Sequence, residues 1–127
     1  MIMQVTQFLH AAILVTDLER ARYFYSEVLG LSLCDRPLNF PGLWYQVGAI
    51  QLHLMVSDSL LPDQVNSQRW GRNRHLAFAI ADLDTAKSQL QAEGYPVQHS
   101  FSGRSALFVQ DPDGNLIELS QGSSPSP

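Results

Sequence analysis

The sequence predicts an α+β protein made of two tandem βαβββ modules, and three observations carry that reading. The chain matches itself at a shift of 65 residues, the hydrophobic period within each copy passes from two to 3.6 and back to two, and turn residues punctuate the periodic runs. With 127 residues, 45% of them hydrophobic, the chain is long and apolar enough to close a core.

The repeat lays His10-AAILVT-Asp17-Leu18 on His75-LAFAIA-Asp82-Leu83 and places His53 on Glu118, with flanks IQLHL and NLIEL. His10 and His53, like His75 and Glu118, are therefore 43 residues apart. In the first copy FLHAAILV reads as a strand, and Thr16 with Glu19 forms a capping box that opens a helix. Leu18, Ala21, Tyr25, Val28 and Leu29 give that helix an apolar stripe, and Gly30 stops it. Three strand-like runs follow: LSLCD, LWYQV and IQLHLMV. In the second copy RHLAFAI is the strand, Asp82 the helix cap, Leu83, Ala86 and Leu90 the stripe, and Gly94 the stop. YPVQH, SALFVQ and NLIELS complete it, the last two joined by the turn DPDGN. Module one spans about residues 6–56, a polar linker about 57–74, module two about 75–120, and a disordered tail 121–127.

Charge narrows the function classes. A net charge of −4, a pI near 5.4 and no run of Lys or Arg exclude a nucleic-acid or anionic-membrane footprint. The apolar stretch of residues 8–15 is interrupted by His10 and too short to span a bilayer, and no basic leader precedes it. The expectation is a cytoplasmic protein with no nucleic-acid or membrane partner. Cys34 alone allows no internal disulfide and no thiolate cluster, and reads as a small apolar filler.

Strand alternation places the polar residues. His10 opposes Leu9, Ala11, Ile13 and Val15; His53 opposes Leu52 and Leu54; His75 opposes Leu76, Phe78 and Ile80; Glu118 opposes Ile117 and Leu119. All four lie opposite the face suited to cover a helix. A lone strand histidine is commonly a hydrogen-bonded structural residue, but a Glu among Leu116, Ile117 and Leu119 is costly to bury unless paired or bound to a cation. Three histidines at its repeat-related positions supply a donor set suited to zinc, nickel, iron, cobalt or manganese. His99, without a repeat counterpart, reads as a surface residue.

FLHAAILVTDLERARYFYSEVLGL, RHLAFAIADLDTAKSQLQAEG and FVQDPDGNLIEL resemble the first strand and helix, the second-module strand and helix, and the closing hairpin of the vicinal oxygen chelate superfamily. That superfamily holds glyoxalase I, fosfomycin-resistance thiol transferases, methylmalonyl-CoA epimerase, extradiol dioxygenases and bleomycin-resistance proteins. The resemblance, over about residues 8–120, implies curved mixed sheets with a helix on each outer face, together forming a cleft. It implies one divalent metal per site held by His10, His53, His75 and Glu118. His53 departs from the Glu of glyoxalase I and the Gln of the epimerase; thiol transferases and dioxygenases use only the equivalents of His10, His75 and Glu118. The implied function is a metal-dependent glyoxalase-like lyase or isomerase acting on a small substrate with vicinal oxygens, with Glu118 as the catalytic base. The alternatives are an iron-dependent extradiol-type dioxygenase and a non-catalytic binding or resistance protein.

Two residues are expected to meet substrate. Arg104, in FSGRS, is positioned to pair with a carboxylate or phosphate, against the plainer reading of a solvated loop cation. Trp44 and Tyr45 alternate in direction, so one faces the ligand side and the other the helix. Because each module offers two ligands, a homodimer with sites shared between chains is expected, pairing within one chain being the other route.

Overall fold

The computed structural model describes residues 2–59 and 62–122, and the chain divides near Leu60 into two compact units. The expected tail beyond residue 122 lies outside the described residues.

Unit one contains β1 (His10–Val15), a helix α1 that begins at Leu18–Arg22, β2 (Ser32–Cys34), β3 (Gly42–Val47) and β4 (Ile50–Val56). Its sheet runs β1-β4-β3-β2, with β1 parallel to β4 and the other pairs antiparallel. Unit two repeats this with β5 (Leu76–Ile80), α2 (Leu83–Ala92), β6 (Val97–His99), β7 (Ala106–Gln110) and β8 (Leu116–Gln121), in the order β5-β8-β7-β6. The α+β architecture of two tandem βαβββ modules, each a mixed sheet covered by a helix, is therefore as expected.

The sheet face under α1 follows the predicted alternation: Leu52 and Leu54 are buried beside Tyr45, whose hydroxyl meets Ser26 Oγ at 2.8 Å. Burial pushes the Tyr45 phenol above its ordinary pKa. In unit two, Leu83, Ala86 and Leu90 of α2 are buried as the stripe requires.

Two details of the first helix differ from expectation. Its N-cap is Asp17, whose side chain accepts from the Arg20 N–H at 3.0 Å, in place of the Thr16–Glu19 box. Asp17 is the repeat counterpart of Asp82, which caps α2 by accepting from the Thr85 N–H at 3.2 Å. Second, the α-helix widens into a π-helix over Tyr23–Val28. The widened turn buries adjacent Phe24 and Tyr25 together with Ala21 and Val28, adding Phe24 to the stripe. Gly30 and Gly94 take positive φ, 75° and 86°, and end the helices as predicted.

The polar segment before β5 is well tied within unit two. The buried Asn73 accepts from the Val65 and Asn66 N–H groups at 2.6 and 2.7 Å, and a short 3-10 turn occupies Trp70–Arg72. Asp63 accepts from the Leu116 N–H at 2.8 Å and pairs with Arg74 at 2.6 Å. The buried Asp111 organises the DPDGN turn by accepting from the Asp113 and Asn115 N–H groups. At the end of β8, the Gln121 side chain accepts from the Leu83 N–H at 2.8 Å, so this residue belongs to the fold.

Candidate metal and substrate site

Each unit gathers one predicted donor pair on the sheet face away from its helix. In unit one, β1 and β4 run parallel with Ala12 opposite His53, so a small side chain leaves the histidine ring room. His53 is 9% exposed and lies inside a column of rings: Trp44 stacks on it at 4.1 Å and 5°, and His10 stacks on it at 4.1 Å and 15°. Trp44 is its cross-strand neighbour on β3. The expectation for the Trp-Tyr pair is met, with Tyr45 toward the helix and Trp44 toward the histidines. His53 Nε2 is 2.8 Å from Gln51 Oε1, two residues back on the same strand face. Burial, then the neighbouring His10 and Arg36, lower the His53 pKa and favour its neutral, metal-competent form.

The stack has a geometric consequence for coordination. An imidazole binds a metal through a lone pair in its ring plane, and two nearly parallel rings 4.1 Å apart keep those lone pairs in separate planes. His10 and His53 can serve one ion together only if one ring turns out of the column.

In unit two, Ala77 lies opposite Glu118 as Ala12 lies opposite His53. Glu118 is 4% exposed, and its carboxylate accepts from Ser120 Oγ at 2.6 Å and pairs with His75 Nε2 at 3.2 Å and Arg104 Nη1 at 3.3 Å. Burial alone would raise the Glu118 pKa; the Ser120 hydrogen bond, then Arg104, then His75 outweigh it and hold the carboxyl below its usual range. His75 Nδ1 lies 2.6 Å from the Asn73 carbonyl oxygen, which accepts the Nδ1 proton. That contact leaves Nε2 as the donor atom, the orienting arrangement common around metal-bound histidine. His75 Nε2 lies 3.2 Å from the Glu118 carboxylate, which brings an imidazole nitrogen and a carboxylate oxygen together. A divalent ion fits this donor set.

The surroundings of the pair are cationic and aromatic. A concavity of ≈ 290 Å³ in unit two is lined by Arg69, Arg72, Arg104, Phe108, His75 and Glu118, among others. Phe108, across the strand pair from Glu118, meets His75 edge-on at 5.3 Å. Arg104 lies beside Glu118 and donates to Ser102 Oγ at 3.0 Å. His99 is exposed at the end of β6. Cys34 is half-buried and free.

Among the described residues no single cluster holds three or more His, Cys, Asp or Glu side chains; the donors come as the two pairs. Sequence reasoning missed Ser120, Gln51 and Phe108. The first two lie two residues from a donor on the same strand face, so alternation alone could have found them.

Two βαβββ units in tandem, each carrying repeat-related candidate donors on the sheet face away from its helix, define a two-module protein. The chain belongs to the Glyoxalase/Bleomycin resistance protein/Dioxygenase superfamily, which it matches over residues 7–119. A Synechocystis protein named "Probable lactoylglutathione lyase" is 26% identical, with 91% of this chain and 95% of that one aligned. The glutathione transferase FosA of Serratia marcescens is 29% identical over 90% of this chain and 79% of its own. A crystal structure from Bacillus anthracis, assigned to the glyoxalase family, superposes with a TM-score of 0.77 at 24% identity, covering 97% of this chain and all of the other. No helix among the described residues is long and apolar enough to cross a membrane.

Proposed function

We propose that the protein is a metal-dependent, glyoxalase-like enzyme, a lyase or isomerase acting on a small substrate with vicinal oxygens. The observation that carries this reading is the buried His75–Glu118 pair, with Nδ1 of His75 anchored on a backbone carbonyl and Nε2 aimed at the carboxylate. The donor set is His10, His53, His75 and Glu118, drawn two from each unit. A divalent ion of the zinc, nickel, iron, cobalt or manganese type, when bound, supplies a Lewis acid toward adjacent substrate oxygens. Glu118, held ionised by Ser120, Arg104 and His75, is the group that accepts a proton from carbon next to a carbonyl. Arg104 exchanges part of its contact with Glu118 for an anionic substrate group, and Trp44 walls the histidine side. The named activities of the aligned relatives, lactoylglutathione lyase and glutathione transferase, support a small-molecule substrate.

The ring stack favours a second reading, in which His53 stays in the column and only His10, His75 and Glu118 bind metal. That three-donor set suits an iron-dependent dioxygenase, whereas a pure binding protein would hold ligand without turnover.

The working unit is a cytoplasmic homodimer in which His10 and His53 of one chain serve the same ion as His75 and Glu118 of another. Metal analysis of protein purified without added metal, then an activity screen with and without oxygen, tests the chemistry. One bound divalent ion per chain is expected, and its absence after reloading refutes the reading. Mixing His10→Ala with Glu118→Ala protein under subunit exchange tests the pairing. Sites shared across chains recover metal binding in half of the mixed-dimer sites; no recovery after verified exchange refutes it.

A further inference from the structure

A separate cationic feature lies in unit one and has no part in the donor set. A concavity of ≈ 670 Å³ there is walled by Leu9, Leu38, Phe40, Trp44 and Met55, and Arg36 projects onto it beside His10 and His53. Leu9, Leu38 and Phe40 are 67%, 41% and 56% exposed, a concentration of apolar surface that an apolar ligand body would cover.

Arg36 is held as a flat plate at the edge of that wall. Its guanidinium carbon lies 4.6 Å from the centroid of the Phe40 ring, and Nη1 donates to the Phe40 carbonyl oxygen. On another side it rests against the backbone of Gly42, where an added Cβ would stand 2.8 Å from Nη2 and 2.9 Å from Cζ. The same Cβ would stand 2.7 Å from the Leu54 carbonyl oxygen, so glycine here makes room for the paired strand as well as for the guanidinium. Its own chain satisfies the guanidinium poorly. Of five N–H groups, one has a hydrogen-bond acceptor, the Nε atom is buried with none, and no carboxylate pairs with Arg36 among the described residues. Arg104, by contrast, already faces Glu118.

We propose that Arg36 anchors the carboxylate of a substrate whose apolar body lies along Leu38, Phe40 and Trp44, making it a specificity-determining residue of unit one. An arginine fixed by stacking loses little freedom on binding, and its planar fork matches a carboxylate. The apolar wall selects against small inorganic anions, which have nothing to place on it. The inference rests on the reading that this face takes substrate, and it refines that reading to an acid with an aromatic or branched apolar body.

The probes are phenylacetate and phenylacetamide, equal in shape and different by one charge, titrated by calorimetry and ligand-observed NMR into the full-length protein, both metal-loaded and stripped by chelator. Neither probe carries vicinal oxygens, so an Arg36 dependence seen in stripped protein stands even if the metal reading fails. The wild-type protein is expected to prefer the acid by about tenfold or more, as a charge-assisted hydrogen bond allows. Arg36→Gln removes that preference and leaves amide affinity within about twofold, while Arg20→Gln on the helix surface keeps it. If Arg36→Gln does not fold, Arg36→Lys must still lose at least half of the preference, since its point charge lacks the fork. An acid preference unchanged in a folded Arg36 variant, or no acid preference in the wild type, overturns the proposal.

Discussion

Replacing Glu118 by glutamine removes one charge at nearly constant volume, and the structure sets how much stability should change. The amide retains a carbonyl oxygen for the Ser120 hydroxyl, now 2.6 Å from the carboxylate, so the loss there is the difference between a charge-assisted and a neutral hydrogen bond, about 1 kcal/mol. Arg104 is 59% exposed, and an ion pair with one partner in solvent contributes at most about 1 kcal/mol. Against both stands the relief of burying an amide in place of a carboxylate, on the order of 1 kcal/mol or more. The net change at neutral pH is therefore within about 1 kcal/mol, or about 4 °C in Tm for a chain of this length. Metal affinity should respond very differently, falling about 100-fold or more, since even outer-shell changes cost 10- to 100-fold. Thermal unfolding of metal-stripped protein and calorimetric metal titration measure the two separately. The pH dependence adds a sign. Because the folded-state pKa of Glu118 is lowered, its contribution is complete above the unfolded carboxyl pKa and is lost as pH falls through the folded value. Any stability margin of the wild type over Glu118→Gln must therefore shrink on acidification. A destabilisation above about 3 kcal/mol with metal affinity unchanged would refute the assignment and make Glu118 a structural residue.

Two predictions concern the fold. Phe24→Ala, at a fully buried position in the widened part of α1, should cost about 3–5 kcal/mol in chemical denaturation, with the spread set by how far the helix can collapse into the gap. Asp17→Ala should cost about 1 kcal/mol by removing the acceptor for the Arg20 N–H; no change would return the cap to Thr16.

The parts of the molecule visible in the sequence are those written as periodicity. The strands HAAILV, IQLHLMV and LIELSQ were legible from their period-two pattern, whereas the parallel β1–β4 and β5–β8 pairing is seen only in the structure. The four candidate donors are legible for the same reason, since a shift of 65 aligns them without any structural knowledge. The cap was misread because Thr16 and Glu19 have capping-box spacing, although the repeat itself set Asp17 against Asp82. Ser120 and Gln51 could have been inferred from alternation. Arg36 and Asn73 could not, because they lie outside regular strands where no period ties side-chain direction to residue number. The stacking of His53 between Trp44 and His10 depends on rotamers, and alternation fixes only the face.

The π-helix over Tyr23–Val28 bears on how the two copies diverged. Asp17 precedes Gly30 by thirteen residues, whereas Asp82 precedes Gly94 by twelve, so the first helix holds one residue more between the same landmarks. Its closing hydrogen bond runs from the Leu31 N–H six residues back to Tyr25, one further than the bond from Tyr95 to Leu90 in α2. From Gly30 to His53 the chain is one residue shorter than from Gly94 to Glu118, and the offset cancels. A single-residue indel is thus stored inside a helix as a wider turn. Each donor returns to register 43 residues after its partner, and the halves can drift apart in length locally without displacing the atoms on which any shared chemistry depends.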